Sequence, residues 1–380
     1  VTLAGGATKA LAFGCAVSAA IPIGVARADT PPSTWDLVKD PSLRQTWALH
    51  EQVESLGPEG VSGSDPLEVQ AGNELRLEGA RAALEASGAA KSRDVRLVFD
   101  LGHVYEELAN IQNRNDLHQK VVDTLAPVLA DPGDTPAVTQ ALEDLVFAYA
   151  KLDRPRDELA VWKELVPRAL DDRARVAPLM NMGEAEMRLG DLDEAIATFR
   201  DALRKCERLP NSSGVNSNYA LLMWDLAVAL DRSGDPASAL GFADKARRFV
   251  VGLRRDRTGT ARPVDGWDLI NDDPDVFFVP EWEREWYLAL GDSADAMAES
   301  DPKQASRAWA DAERHWDTYF KEAAQEEQDE KEERADAGKR PTSRWAGLAR
   351  KRRDHARLQR IATDAVTHAV PARPLRVVSP

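Results

Sequence analysis

The residue types that could do chemistry are present in this chain, but they stand apart from one another. Gly291-Asp292-Ser293 sets a serine beside an acid as some hydrolases do, yet it lies in a run of helical periodicity. It lacks the strand and glycine elbow that would expose a nucleophile, so helix packing is what its surroundings support. The six histidines, His50, His103, His118, His315, His355 and His368, are dispersed with no i, i+4 pair, whereas zinc needs clustered ligands; they read as surface or packing residues. Asp268, Asn271, Asp272, Asp273 and Asp275 offer hard oxygen donors of the kind calcium takes, without the spacing or central glycine of an EF-hand. No Gly-rich phosphate loop or dinucleotide fingerprint occurs. The spacing thus points to no catalytic residue, no metal site and no cofactor, and the chain is expected not to be an enzyme.

Composition narrows the function classes. A formal net charge of -15 with a pI near 5.0 argues against nucleic-acid binding as the main activity. Lys9 precedes an apolar run from Ala10 to Val25, and Ala26-Arg27-Ala28 offers a small-x-small cleavage pattern. The pattern predicts a signal peptide over residues 1–28, cleavage after Ala28, a periplasmic or secreted mature chain and no stable membrane span after cleavage. Of the two cysteines, Cys15 falls in that signal, so Cys206 would be alone and is expected to be a buried, inert thiol.

The elements that must position any site are helices. In residues 176–209, Val176, Leu179, Gly183 and Met187 recur at three- and four-residue steps, Gly190-Asp191 interrupts, and Ala195, Ile196, Phe199, Ala202, Leu203 and Cys206 resume the period. This predicts a helical hairpin with one apolar stripe per helix. Gly190 ends the first helix in a left-handed conformation, and Asp191 with Glu194 is expected to form a capping box on the second. Strand signals are scarce, and the fold class expected is all-α.

Asn181-Met182-Gly183, Leu189-Gly190-Asp191, Ala195-Ile196, Phe199 and Ala202-Leu203 together resemble a tetratricopeptide repeat, a helix-turn-helix unit of about 34 residues. The resemblance implies an α-solenoid of stacked hairpins, because one such unit cannot bury both of its faces alone. Weaker matches surround it. Leu101-Gly102 and Tyr105 fit a first helix over 95–111, and Leu145 and Tyr149 fit another, whose turn is Asp153-Arg154-Pro155. Leu226-Ala227, Leu230, Gly234-Asp235-Pro236 and Ala239-Leu240 fit a further unit. The resulting division is an N-terminal linker and cap over 29–66, with Trp35 and Trp47 folding back on the first repeat, and repeats over 67–251. A loop insert over 252–280 follows, with an apolar plug at 276–280, then a further hairpin over 281–324 and a charged, partly disordered tail over 325–380.

In the family that the stretch resembles, first helices line a concave face, and the implied groove positions are Lys151, Met180, Glu184, Met187, Arg188, Trp224, Val228 and Arg232. Lys151, Arg188 and Arg232 form a basic ladder in an acidic protein, although helix dipoles favour cations at helix C-termini whether or not anything binds. Members that clamp a C-terminal carboxylate carry lysine and asparagine at earlier positions, where Met180, Glu184, Trp224 and Val228 stand; Asn181 alone fits. Met180, Met187 and Trp224 suggest an adaptable apolar floor. The function expected is a non-catalytic scaffold or adaptor binding a protein or peptide partner. Two other classes stay open: an enzyme or calcium-binding protein using the acidic 265–275 insert, and a structural envelope component that self-associates through its charged tail.

Overall fold

The computed structural model describes residues 31, 33–54, 66–130, 136–255, 261–272, 284–333 and 345–368. The expected signal, the apolar plug at 276–280 and the acids Asp273 and Asp275 lie outside them. The fold is an all-α repeat fold, and it divides into two compact units, Val1–Asn218 and Tyr219–Pro380, described separately below.

The first unit opens with α1 (Thr34–Lys39), α2 (Leu43–Glu54) and α3 (Pro66–Ser87). Three hairpins follow: α4 (Val95–Gln112) with α5 (Asn115–Leu125), α6 (Pro136–Lys151) with α7 (Pro155–Arg168), and α8 (Asp172–Leu189) with α9 (Leu192–Cys206). Helix α6 also packs on α4, and α8 on α7, so each hairpin covers a face its neighbour leaves apolar. Of the two tryptophans expected to cap the first repeat, Trp47 lies against the Arg96 guanidinium, 4.7 Å from its ring centre, while Trp35 is 65% exposed. Helix α2 is fastened instead by His50, whose Nδ1 lies 2.8 Å from the buried Asp100 carboxylate of α4.

Two glycines decide how closely the hairpins can shut. A Cβ on Gly183 of α8 would overlap the ring of Phe199 on α9, and a Cβ on Gly102 of α4 would overlap Leu125 of α5. Phe199 and Leu125 are fully buried, so the missing side chain is the space they fill. At the α8–α9 turn, Gly190 adopts φ 88, as its position requires, and its N–H donates to Glu186 and Met187. The capping box expected there does not form, since Asp191 makes no side-chain cap hydrogen bond. In the α6–α7 turn the left-handed residue is Asp153, φ 52, and in the α4–α5 turn it is Asn113, φ 49, where α8–α9 has glycine.

The second unit is entered through α10 (Ser213–Ser233), which crosses the boundary. It continues with α11 (Pro236–Arg248), capped by Asp235 accepting from the Ser238 N–H at 3.1 Å. The expected loop insert holds a hairpin of β1 (Val250–Arg255) and β2 (Ala261–Asp265), then the short α12 (Gly266–Asp272). Its strands are short and carry three arginines, with a register irregularity between Val250 and Gly252, which hides the period of two. Helices α13 (Arg284–Ala298), α14 (Pro302–Glu333) and α15 (Ala346–His368) complete the unit.

The tail is therefore more ordered than its composition suggests, with α14 reaching Glu333 and α15 lying antiparallel on it. Ser306 at one end bonds Asp364, and Arg353 at the other sits over the Phe320 ring at 5.0 Å. Apolar residues are sparse on α15, whose fully buried side chains among those described are Ala349 and Ala356.

The Phe199 contact sets a stability prediction. Phe199→Ala should cost about 3–5 kcal/mol in urea unfolding, the usual range for emptying a buried aromatic site. Gly183→Val should cost about 1–3 kcal/mol by overpacking. The double variant should cost less than the two together, because the valine fills the space that the ring vacates.

Candidate functional site

In the first unit an open face is built from α4 and α6, which between them carry one of the expected groove positions, Lys151. Around the packing glycine Gly102, α4 presents His103, Glu107 and Asn110 with Phe99 and Glu106 buried beside them, and α6 presents Gln140, Glu143, Phe147 and Lys151. His103, Glu107, Asn110, Gln140, Glu143 and Phe147 are half-buried and Lys151 is exposed, so this face is open to solvent. Reading the ladder one unit earlier reveals it: Glu107 stands five residues after Gly102 as Arg188 stands five after Gly183. That step would have shown that the ladder begins with an acid.

The electrostatics of this face centre on His103. Its Nδ1 lies 3.2 Å from both oxygens of Asp144 on α6, and Gln140 donates to Asp144 at 3.2 Å. Burial opposes a charge on His103, but Asp144, Glu107 and Glu106 outweigh it and raise the imidazole to about 10. Glu106 is buried beside these carboxylates and bonded to Asn110. Burial, then Asp144 and Glu107, push its carboxyl up to about 8. The pair links adjacent hairpins through a protonated histidine. On α5, burial and then the Lys151 charge hold His118 down to about 4, so that imidazole is neutral in the fold.

The remaining expected positions are placed differently. Met180, Glu184 and Met187 of α8 are buried, forming part of the packing and not an open floor. Arg188 is mostly buried, paired with Glu158 of α7 and 3.9 Å from Asp153; burial lowers its pKa and Asp153 works against that. In the second unit Trp224 and Val228 are fully buried, and Arg232 is buried against Asp231 with its guanidinium 3.8 Å from the Trp286 ring centre. Of the basic ladder, Lys151 alone is exposed; the two arginines already have carboxylate partners from their own unit. The physical reason is the same one that made them legible as cations: a helix C-terminus favours a guanidinium, and a neighbouring acid then claims it.

The other candidate residues have these surroundings. The Ser293 hydroxyl donates to the Ala289 carbonyl at 2.7 Å, and His315 faces Glu285 at 2.5 Å and Asp292 at 3.5 Å. Asp268 lies 3.6 Å from Arg262, and its N–H is capped by Asp265. Among the described residues no three His, Cys, Asp or Glu side chains are grouped so as to hold a metal, and no helix is long and apolar enough to cross a membrane. Cys206 is buried, and burial with Glu207 pushes its thiol up to about 12.

Repeated hairpins, closed by a small residue under a large one and turned at Gly190, are the pattern on which a family can be tested. Residues 175–250 match the tetratricopeptide repeat family model. The stretch includes α8, α9, α10 and α11, the two hairpins with glycine turns. Tetratricopeptide repeats in general serve as protein-interaction scaffolds. No curated protein matches the chain. Among solved structures, a Podosopora anserina protein described as a kinesin light chain with nearly identical TPR-like repeats is 15% identical. It covers 53% of this chain and 93% of its own, with a TM-score of 0.38. BtubC (BKLC) from P. vanneervenii is 14% identical over 53% of this chain and 87% of its own, with a TM-score of 0.34.

The titrations on the open face predict a pH profile. A histidine raised from 6.5 to about 10 contributes stability that is complete below 6.5 and is lost as pH rises through 10. A carboxyl raised from 4.5 to about 8 removes stability over that interval, because the unfolded chain ionises first. His118 acts the opposite way between about 4 and 6.5, where protonation favours unfolding. The melting temperature should therefore stay level between about pH 4.5 and 6.5, where the Glu106 loss and the His118 gain offset each other, and fall steadily toward pH 10. Glu106→Gln should flatten the part of that fall below about pH 8.

Proposed function

We propose that the chain is a scaffold or adaptor that holds a protein or peptide partner on the open face of α4 and α6, and that it does so outside the cytoplasm. One observation carries the first part. His103, Glu107, Asn110 and Lys151 share a solvent-open face, bordered by Phe147, which packs against the core edge-on to Trp162 with ring centres 6.2 Å apart, while Leu101, Leu145 and Val146 on the same helices close the core beneath it. A surface mixing an aromatic ring with charged and amide groups over a rigid base suits peptide recognition, where apolar contact supplies affinity and polar groups set direction. Its acids, with one charged imidazole and Lys151 at one end, favour a partner segment of mixed charge over an acidic tail. Support for export is the apolar run and small-x-small pattern of residues 10–28.

Photo-crosslinking tests the site. A photoreactive phenylalanine at position 147 or 107 should capture the same partner, and one at Asp123, exposed on α5, should not. Glu107→Lys combined with Lys151→Glu should abolish capture at 147 with an unchanged circular dichroism spectrum. Equal capture at 123 and 147 would move binding off this face.

A further inference from the structure

Gly102 and Gly183 are each covered by a large side chain from the facing helix, whereas Gly79 on α3 is not. A Cβ at Gly79 would meet nothing within 4 Å, and its backbone is ordinary helix. Glycine inside a helix weakens it relative to alanine, and here neither a turn nor a close approach calls for one. What lies over it is a cavity of about 220 Å³ between α2 and α3. Leu49 and Val53 of α2 form one wall, and Gly79, Ala80 and Ala83 of α3 form the other. Val53 and Ala80 are buried and Leu49 packs on the core, so both walls are anchored in the interior of the first unit.

The polar groups at the cavity are Gln52 and Arg76. Arg76 is half-buried, and among the described residues no hydrogen bond or ion pair engages it. The acids around it on α3 are committed elsewhere: Glu78 and Glu85 hold Arg81, and Glu74 accepts from Gln112 of α4. A guanidinium drawn partly out of water favours an anion that can accept two of its N–H groups, and an apolar hollow favours a hydrocarbon group over water. A cavity of roughly 150 Å³ lined by apolar side chains is enough to hold benzene, so this one has room for a ring or a short alkyl chain.

We propose that the α2–α3 cavity is a binding site for a small amphiphilic carboxylate, its apolar tail lying against Leu49, Val53 and Gly79 and its head on Arg76. Charge complementarity sets the occupant: a carboxylate completes Arg76, while an amine or a neutral head leaves the guanidinium as it stands. None of the lining residues belongs to α4 or α6, so the site goes beyond the scaffold reading and stands without it. Because α2 and α3 each pack on α4, an occupant ties the two together and stabilises the N-terminal end of the first unit.

The test titrates the full chain with octanoate and with octanol, followed by the methyl NMR signals of Leu49 and Val53. Octanoate should bind wild type about tenfold more tightly than octanol, the size of one charge-assisted contact. Arg76→Gln should bring the two to equal affinity. Gly79→Leu should remove binding of both, because its side chain occupies the hollow; the open space at that position should leave the circular dichroism spectrum unchanged. Gly79→Ala, which adds one methyl group, should weaken octanoate by less. No saturable octanoate binding at millimolar concentration, equal affinity for the two probes in wild type, or octanoate binding that survives Gly79→Leu would overturn the proposal. An acetylated Leu-Glu dipeptide that binds where octanoate does not would make the hollow a seat for a partner's side chain, and would overturn it as well.

Discussion

A pair of helices can hide its oily side only if the two backbones come close enough for one large side chain to span the gap. In this chain the gap is set by Gly183 under Phe199 and by Gly102 under Leu125. Each closed hairpin still has one apolar side left over, and the next hairpin is what covers it, so stacking of α4–α5, α6–α7 and α8–α9 follows from the same packing. Stability in this array comes from repetition and not from staples, since the one described cysteine is a buried thiol.

Charge is distributed on this scaffold by burial. Where an inner face stays open, as on α4 and α6, a charged histidine faces Asp144 across the seam between hairpins, and the seam answers to pH. Where the equivalent face is closed, as on α10, Asp231 becomes the hub of a buried network of two arginines and a tryptophan. The difference is one of dielectric: a carboxylate removed from water needs several donors at once, and the aromatic cover around Asp231 brings them.

Much of the fold was legible because its period is long and its punctuation strong. Helix bounds from Pro66 to Arg248 follow the apolar stripes and the Gly190, Asp153 and Gly234 turns. Legibility ended where the signal was short or borne by small residues. The strands Val250–Arg255 and Ala261–Asp265 are too brief and irregular to show alternation, and α15 docks through alanines and arginines that composition alone assigns to a solvated tail. The site was half legible. Of the expected cations Lys151 is exposed, whereas Arg188 and Arg232 meet acids, Glu158 from the preceding helix and Asp231 from the preceding residue.

By itself the amino-acid order determined the helical class, the hairpin repeat and the residues on each helix's packing stripe, because these depend on neighbours within one or two turns. Only the tertiary structure decided which inner faces meet water and which are covered. The contacts of Asp144 with His103, of Glu158 with Arg188 and of Arg352 with Asp231 join residues 41, 30 and 121 positions apart. Charge pairing acts through space at a few ångströms, and no local pattern in the chain records which distant side chain will arrive there.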